Sequence, residues 1–162
     1  MLCLYIPIIN SNYAQGNTCG TATNLIINGP CDSGTISDGN ENTPFISGCN
    51  PSNFRREGWY SFTVTAGHLN VTITTDAADK GLYLQLIRPT ASCTNLSEVA
   101  CANNTGTNNS AQTETITATL NNGIYYIKVV NEENNGDMIL NSICVTAPIS
   151  APQMTTVLEQ SL

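Results

Sequence analysis

Apolar and polar residues alternate with period two along most of this chain, and no stretch sustains the 3.6-residue period of a helix. In "WYSFTV" the residues Tyr60, Phe62 and Val64 share one face, opposite Trp59, Ser61 and Thr63. "LNVTIT" sends Leu69, Val71 and Ile73 to one side and Asn70, Thr72 and Thr74 to the other, and "LYLQLI" does the same with Leu82, Leu84 and Leu86. In "TETITATL" the apolar side is Ile116, Ala118 and Leu120, and in "YYIKVV" Tyr125, Ile127 and Val129 oppose Tyr126 and Lys128. Two further strands are expected in "NLIIN" and "MILNSICV". All are rich in the Thr, Val, Ile and Tyr that suit a pleated, half-buried surface.

Turn signals separate these runs, among them "NGPCDSG", "SDGNENTP", "TAGH", "DAADKG", "ANNTGTNNS", "NNG" and "EENNGD". Short alternating strands at such spacing, with no helical pattern between them, fit an antiparallel arrangement. The expected fold is an all-β, antiparallel jelly-roll or Greek-key β-sandwich of about seven to nine strands. It is placed over residues 15–147, leaving 148–162, with two prolines before Gln153, as a linker or the start of a further module.

Composition narrows the partners. Lys and Arg number 5 against 12 Asp and Glu, a net charge of −7. A surface of that sign repels phosphate backbones, which excludes nucleic acid as the expected partner. Residues 1–14 are uncharged, apolar from Met1 to Ile9, and end in Ala14, the pattern of a secretory signal peptide with a lost or misassigned start. The competing reading is a hydrophobic first strand; the apolar run is too short to span a bilayer. Beyond it stand six cysteines, Cys19, Cys31, Cys49, Cys93, Cys101 and Cys144. An even set behind a signal-like start reads as disulfides made outside the cell, in a connectivity that spacing alone does not choose.

Catalytic chemistry finds no foothold. The one histidine, His68, lies in a turn, and no nucleophile elbow accompanies it. No pair of cysteines or histidines has zinc-ligand spacing, and Glu132-Glu133 sits in a turn with no second carboxylate assigned to it. Aromatic side chains are the better candidates. If Tyr60 and Tyr125 face the core, then Trp59, Tyr83 and Tyr126 face away, either to bind a sugar or protein surface or to pack beneath a covering segment.

Three segments, "REGWYSFTVTAGHLNVTI", "DKGLYLQLI" and "NNGIYYIKVV", resemble the bacterial pre-peptidase C-terminal family. The matching positions are Glu57, Trp59, Tyr60, Phe62 and Val64, then Asp79, Leu82, Tyr83 and Leu84, then Gly123, Tyr125, Tyr126, Ile127 and Val129. "NTCGTATNL", the spacing of Cys31 and Cys49, and the Cys93-to-Cys101 segment resemble its cysteine-bearing variants in secreted Bacteroidetes proteins. The resemblance implies a jelly-roll domain appended to secreted enzymes or adhesins, itself without catalytic function, which in some members binds calcium or a matrix or carbohydrate surface.

Relatives often carry two Asp where this chain has Asn103 and Asn104, which removes two charges that calcium favours. Glu57, Asp76 and Asp79 are the other weak calcium candidates, with water-facing strand-end residues as the alternative reading; no other cofactor is expected. For the cysteines the expected pairs are Cys93 with Cys101 across a loop, Cys31 with Cys49, and Cys19 with Cys144 tying the first and last strands. The function expected is a secreted or cell-surface, non-catalytic accessory module that binds a glycan or protein surface within a larger bacterial protein. A purely structural spacer and the non-catalytic fragment of a secreted hydrolase are the alternatives.

Overall fold

Nine strands alternate between two facing sheets in a computed structural model that describes residues 16–37, 49, 56–65, 67–90, 93–103, 111–132 and 136–148. They are β1 (Thr23–Asn24), β2 (Asp32–Ile36), β3 (Arg56–Val64), β4 (Leu69–Ala77), β5 (Leu82–Pro89), β6 (Leu96–Ala102), β7 (Gln112–Leu120), β8 (Gly123–Asn131) and β9 (Met138–Thr146). One sheet has the order β1-β3-β8-β5-β6 and the other β2-β9-β4-β7. The only helical turn among the described residues is a 3-10 turn at Cys19–Thr21, so none of them forms a helix long enough to cross a membrane. Within the described residues only β5 and β6 follow one another in the same sheet. Every other connection passes from one sheet to the other.

The alternation read from the sequence decides which side chains meet between the sheets. Phe62 and Tyr125 stack with ring centroids 5.7 Å apart, and Val71, Ile73, Ile116 and Leu120 face them from the other sheet. Leu82, Leu84 and Leu86 complete the centre, all fully buried. β3 and β8 pair in unbroken register from Arg56↔Asn131 to Val64↔Gly123, and β4 and β7 from Leu69↔Leu120 to Ala77↔Gln112. An unbroken register keeps every apolar residue of a strand on the same side.

Three sequence expectations change here. Of "NLIIN" only Asn24 lies in a strand, the end of β1, which runs parallel to β3 for two residues before the chain turns. "DSG", from Asp32, belongs to a strand, β2, despite its poor propensity, because pairing with β9 and burial of Ile36 outweigh the local preference. "CTNLSEVAC" is likewise no loop, since Leu96–Ala102 is a full strand of the five-stranded sheet.

That last change rearranges the disulfides. A strand from Leu96 to Cys101 separates its ends by roughly 16 Å, whereas a disulfide needs Cα atoms within about 7 Å. Cys93 therefore does not pair with Cys101, and neither of the other expected pairs forms. The bonds are Cys19–Cys93, Cys31–Cys144 and Cys49–Cys101, with Cα separations of 5.6, 4.5 and 6.1 Å. Cys31 meets Cys144 because the next residue, Asp32, pairs with Ile143 in the β2–β9 ladder. The leader-like segment 1–14 and residues 149–162 lie outside the described residues.

Candidate functional site

The outward residues of the five-stranded sheet include the aromatics singled out above, and the sandwich closes over them. Trp59 and Tyr83 have no exposed surface and Tyr126 is half-buried, so the packing reading holds over the open binding face. A second, smaller core forms here from Cys19, Trp59 and Ile87, with Cys93, Leu96 and Tyr126 against it. Trp59 and Tyr126 meet edge to face at 6.4 Å. The chain before β1 folds back to make this cover. The Trp59 amide donates to the Gly16 carbonyl at 2.8 Å, and the Cys19–Cys93 bond ties the cover to the turn before β6. Gly16 is required at that point, since a Cβ would run into the Thr21 carbonyl.

Beside this apolar cover the same face holds a row of buried polar groups. The Lys128 ammonium lies 2.6 Å from Glu57 Oε2, and Trp59 Nε1 donates to Glu57 Oε1 at 2.9 Å. The ammonium also sits 5.5 Å from the Trp59 ring centroid, within cation–π range. Across β5, Gln85 Nε2 donates to Glu98 Oε2 at 2.6 Å. Glu57, Lys128 and Gln85 are each buried.

The calcium candidates are not brought together. Glu57 is committed to the pair just described, on the outer side of one sheet. Asp76 is on the outer side of the other, accepting from Thr113 Oγ1 at 3.0 Å and Asn141 Nδ2 at 2.9 Å. Asp79 Oδ1 accepts from the Ile139 amide at 3.3 Å, and Asn103 Nδ2 donates to Glu132 Oε1 at 2.9 Å. Asn104 lies outside the described residues. Among the described residues no three His, Cys, Asp or Glu side chains gather into a metal site. His68 is an exposed turn residue at φ 56°, and Arg56 pairs with Asp137 at 2.9 Å.

The open surface is the outer face of the four-stranded sheet, which the sequence reading passed over. Cross-strand rows align Asn70 with Thr119, Thr72 with Thr117, Thr74 with Thr115 and Asp76 with Thr113. β9 extends two of these rows with Thr146 beside Thr72 and Ser142 beside Asp76. Thr72 and Thr117 hydroxyls lie 3.2 Å apart and Thr119 donates to Asn70 at 3.0 Å. Glu114, the one charged residue of β7, points inward and is fully buried, so its strand shows the outside only Thr113, Thr115, Thr117 and Thr119. The signal was the period-two threonines of "TETITATL" beside those of "LNVTITT". An array of hydroxyls and methyls with Asp76 as its only charge can hydrogen-bond and pack against a neutral polar surface.

No curated protein matches the chain. Among solved structures, the enzymatically active domain of tailspike protein 4 from bacteriophage CBA120 aligns at 10% identity and a TM-score of 0.39, over 76% of this chain and 18% of that one. The chain thus spans less than a fifth of that structure's length. Residues 56–131, from the first residue of β3 to the last of β8, match the model of the bacterial pre-peptidase C-terminal domain.

Proposed function

We propose that this chain, whose residues 56–131 match the model of the bacterial pre-peptidase C-terminal domain, is a secreted or surface-exposed, non-catalytic accessory module. It attaches a larger bacterial protein to a carbohydrate or protein surface. The observation that carries the reading is the contrast between the two outer faces. One is closed by a disulfide-tied cover, while the other presents threonine hydroxyls in register with Asp76 as its only charge. Three disulfides suit such a module to an oxidising compartment.

The test is a pull-down of the folded protein on insoluble neutral glycans, matrix proteins and whole cells. Saturable binding is expected, lost in a Thr72→Val, Thr117→Val double variant that keeps the fold. A structural spacer is the second reading, favoured by the burial of Trp59 and Tyr83. Failure to bind any of these surfaces would select it.

A further inference from the structure

The four-stranded sheet ends at β7 in a long, straight edge. Among the described residues β7 pairs with β4 alone, over its whole length and in unbroken register. The direction of its backbone groups follows from its neighbours. Ala78, the residue after β4, donates its amide to the Ile139 carbonyl at 2.9 Å, and the Thr72 carbonyl accepts from Thr146 Oγ1 at 3.3 Å, so the even-numbered residues of β4 turn their backbone toward β9. The odd-numbered ones, from Leu69 to Ala77, therefore bond to β7, where their partners are the even-numbered residues from Leu120 to Gln112. That leaves the amides and carbonyls of Thr113, Thr115, Thr117 and Thr119 pointing out from the sheet edge, at residues whose side chains are exposed.

Natural sheets blunt such edges with short strands, bulges, proline or charge. The other edges here follow that rule. β1 has two residues, β2 shifts register between Asp32 and Gly34, and β6 carries Glu98 in a ladder that shifts between Leu86 and Ile87. β7 has nine residues with no proline, lysine or arginine, and its single charge, Glu114, is turned inward and buried.

We propose that this edge is occupied by β7 of a second copy of the chain, in an antiparallel two-fold pair centred on Ile116. The order of residues in the strand selects the register. Centred there, Thr113 meets Thr119 of the second copy and Thr115 meets its Thr117, so all four outward residues find backbone partners. A centre moved to Thr115 or Thr117 leaves Thr119 or Thr113 without a partner in β7. A centre at Glu114 sets that carboxylate against its own copy, whereas in the Ile116 register it faces Ala118. Charge favours the same seam. Two chains of net charge −7 repel one another over most of their surface, but this pairing brings threonine against threonine on the outside and opposes no like charges within. The result is a continuous sheet built from both copies, with their threonine arrays side by side on its outer face. The larger contact surface matters for the binding reading above; the pairing itself does not depend on that reading.

Sedimentation equilibrium of the full chain over a concentration series tests the pairing. The expected result is a shift from monomer to dimer mass. A Thr115→Lys, Thr117→Lys variant lines the seam with ammonium groups from both copies, and should stay monomeric with the circular dichroism of the parent. Thr117→Pro removes an outward amide and no bond to β4, and should act in the same direction. Thr72→Val, Thr117→Val keeps every backbone group and should dimerise as the parent does, which separates this pairing from surface binding. A mixture of Thr113→Cys and Thr119→Cys variants should be joined by a short thiol cross-linker at those two positions. Thr113→Cys alone should not, its two copies lying roughly 20 Å apart along the strands. A chain that stays monomeric at every concentration would overturn the proposal, as would a dimer indifferent to the lysine pair or one cross-linked in another register.

Discussion

Lys128 and Glu57 form an ion pair at 2.6 Å across β8 and β3, with side chains only 5% and 7% exposed. It lies diagonally across the ladder, since Glu57 pairs with Val130 and Lys128 with Trp59. Removing one member of such a pair leaves a charge without water or partner, so Glu57→Ala should cost about 3–5 kcal/mol. A Glu57→Leu, Lys128→Met double variant should recover most of that loss. Denaturant midpoints for the single and double variants measure the difference, and additive losses would contradict the coupling.

Trp59 gives a second test, because it separates the two readings made from sequence. As an exposed binding residue it would tolerate truncation with the fold intact. Buried under the Cys19–Cys93 cover, Trp59→Ala should instead destabilise by about 3–5 kcal/mol. A thermal melt little changed from that of the parent would mean the cover is open in solution.

The disulfide map is checked by peptide mapping without reduction, which should return Cys19–Cys93, Cys31–Cys144 and Cys49–Cys101. The sequence separations are 74, 113 and 52 residues. In the chain-entropy account each bond then contributes about 4–5 kcal/mol before native-state strain is subtracted, with Cys31–Cys144 the largest. A Cys31→Ser, Cys144→Ser variant should accordingly show the greatest fall in melting temperature of the three paired replacements.

Glu132 makes stability depend on pH. Its carboxyl is held above the ordinary value of 4.5 by burial, against the opposing effect of the hydrogen bond from Asn103. A raised folded-state value means that the folded protein binds the proton more tightly than the unfolded chain. The penalty is absent below pH 4.5 and grows as pH rises through the folded value. Glu132→Gln should therefore be more stable than the parent at neutral pH, with the gap closing as the solution is acidified. Urea titrations of both proteins across that range would show it, and a gap that widened in acid would reverse the assignment.

Tyr60 supplies a further test. Its hydroxyl is buried in the core without a hydrogen-bond partner, as is Asp32 Oδ2, and burial followed by the Asp32 charge pushes its ionisation well above the usual tyrosine range. A buried hydroxyl without a partner carries its desolvation cost uncompensated. Tyr60→Phe should leave stability unchanged or raise it by up to about 1 kcal/mol in equilibrium unfolding. A clear loss would reveal a hydrogen bond to the hydroxyl.

By itself the sequence determined the fold class and the side on which most strand residues fall. Tyr60, Phe62, Ile73, Leu84 and Ile127 were legible as core because period two is a property of the strand alone. The likeness of residues 56–131 to the pre-peptidase C-terminal domain was legible for the same reason, the matching motifs being carried by β3, β5 and β8, strands of strong local pattern. What lies over each side was not legible. Alternation says that Trp59 and Thr117 point outward, but only the tertiary path of residues 16–22 and the Cys19–Cys93 bond cover the first and leave the second bare. The cysteine pairs follow from the same cause. Cys93 and Cys101 are neighbours along the chain, and a strand held straight by its pairing with β5 carries them apart, while the β2–β9 ladder brings Cys31 to Cys144 across 113 residues. Local periodicity is set by the backbone of one strand; burial and pairing are set by which strands the whole chain brings side by side.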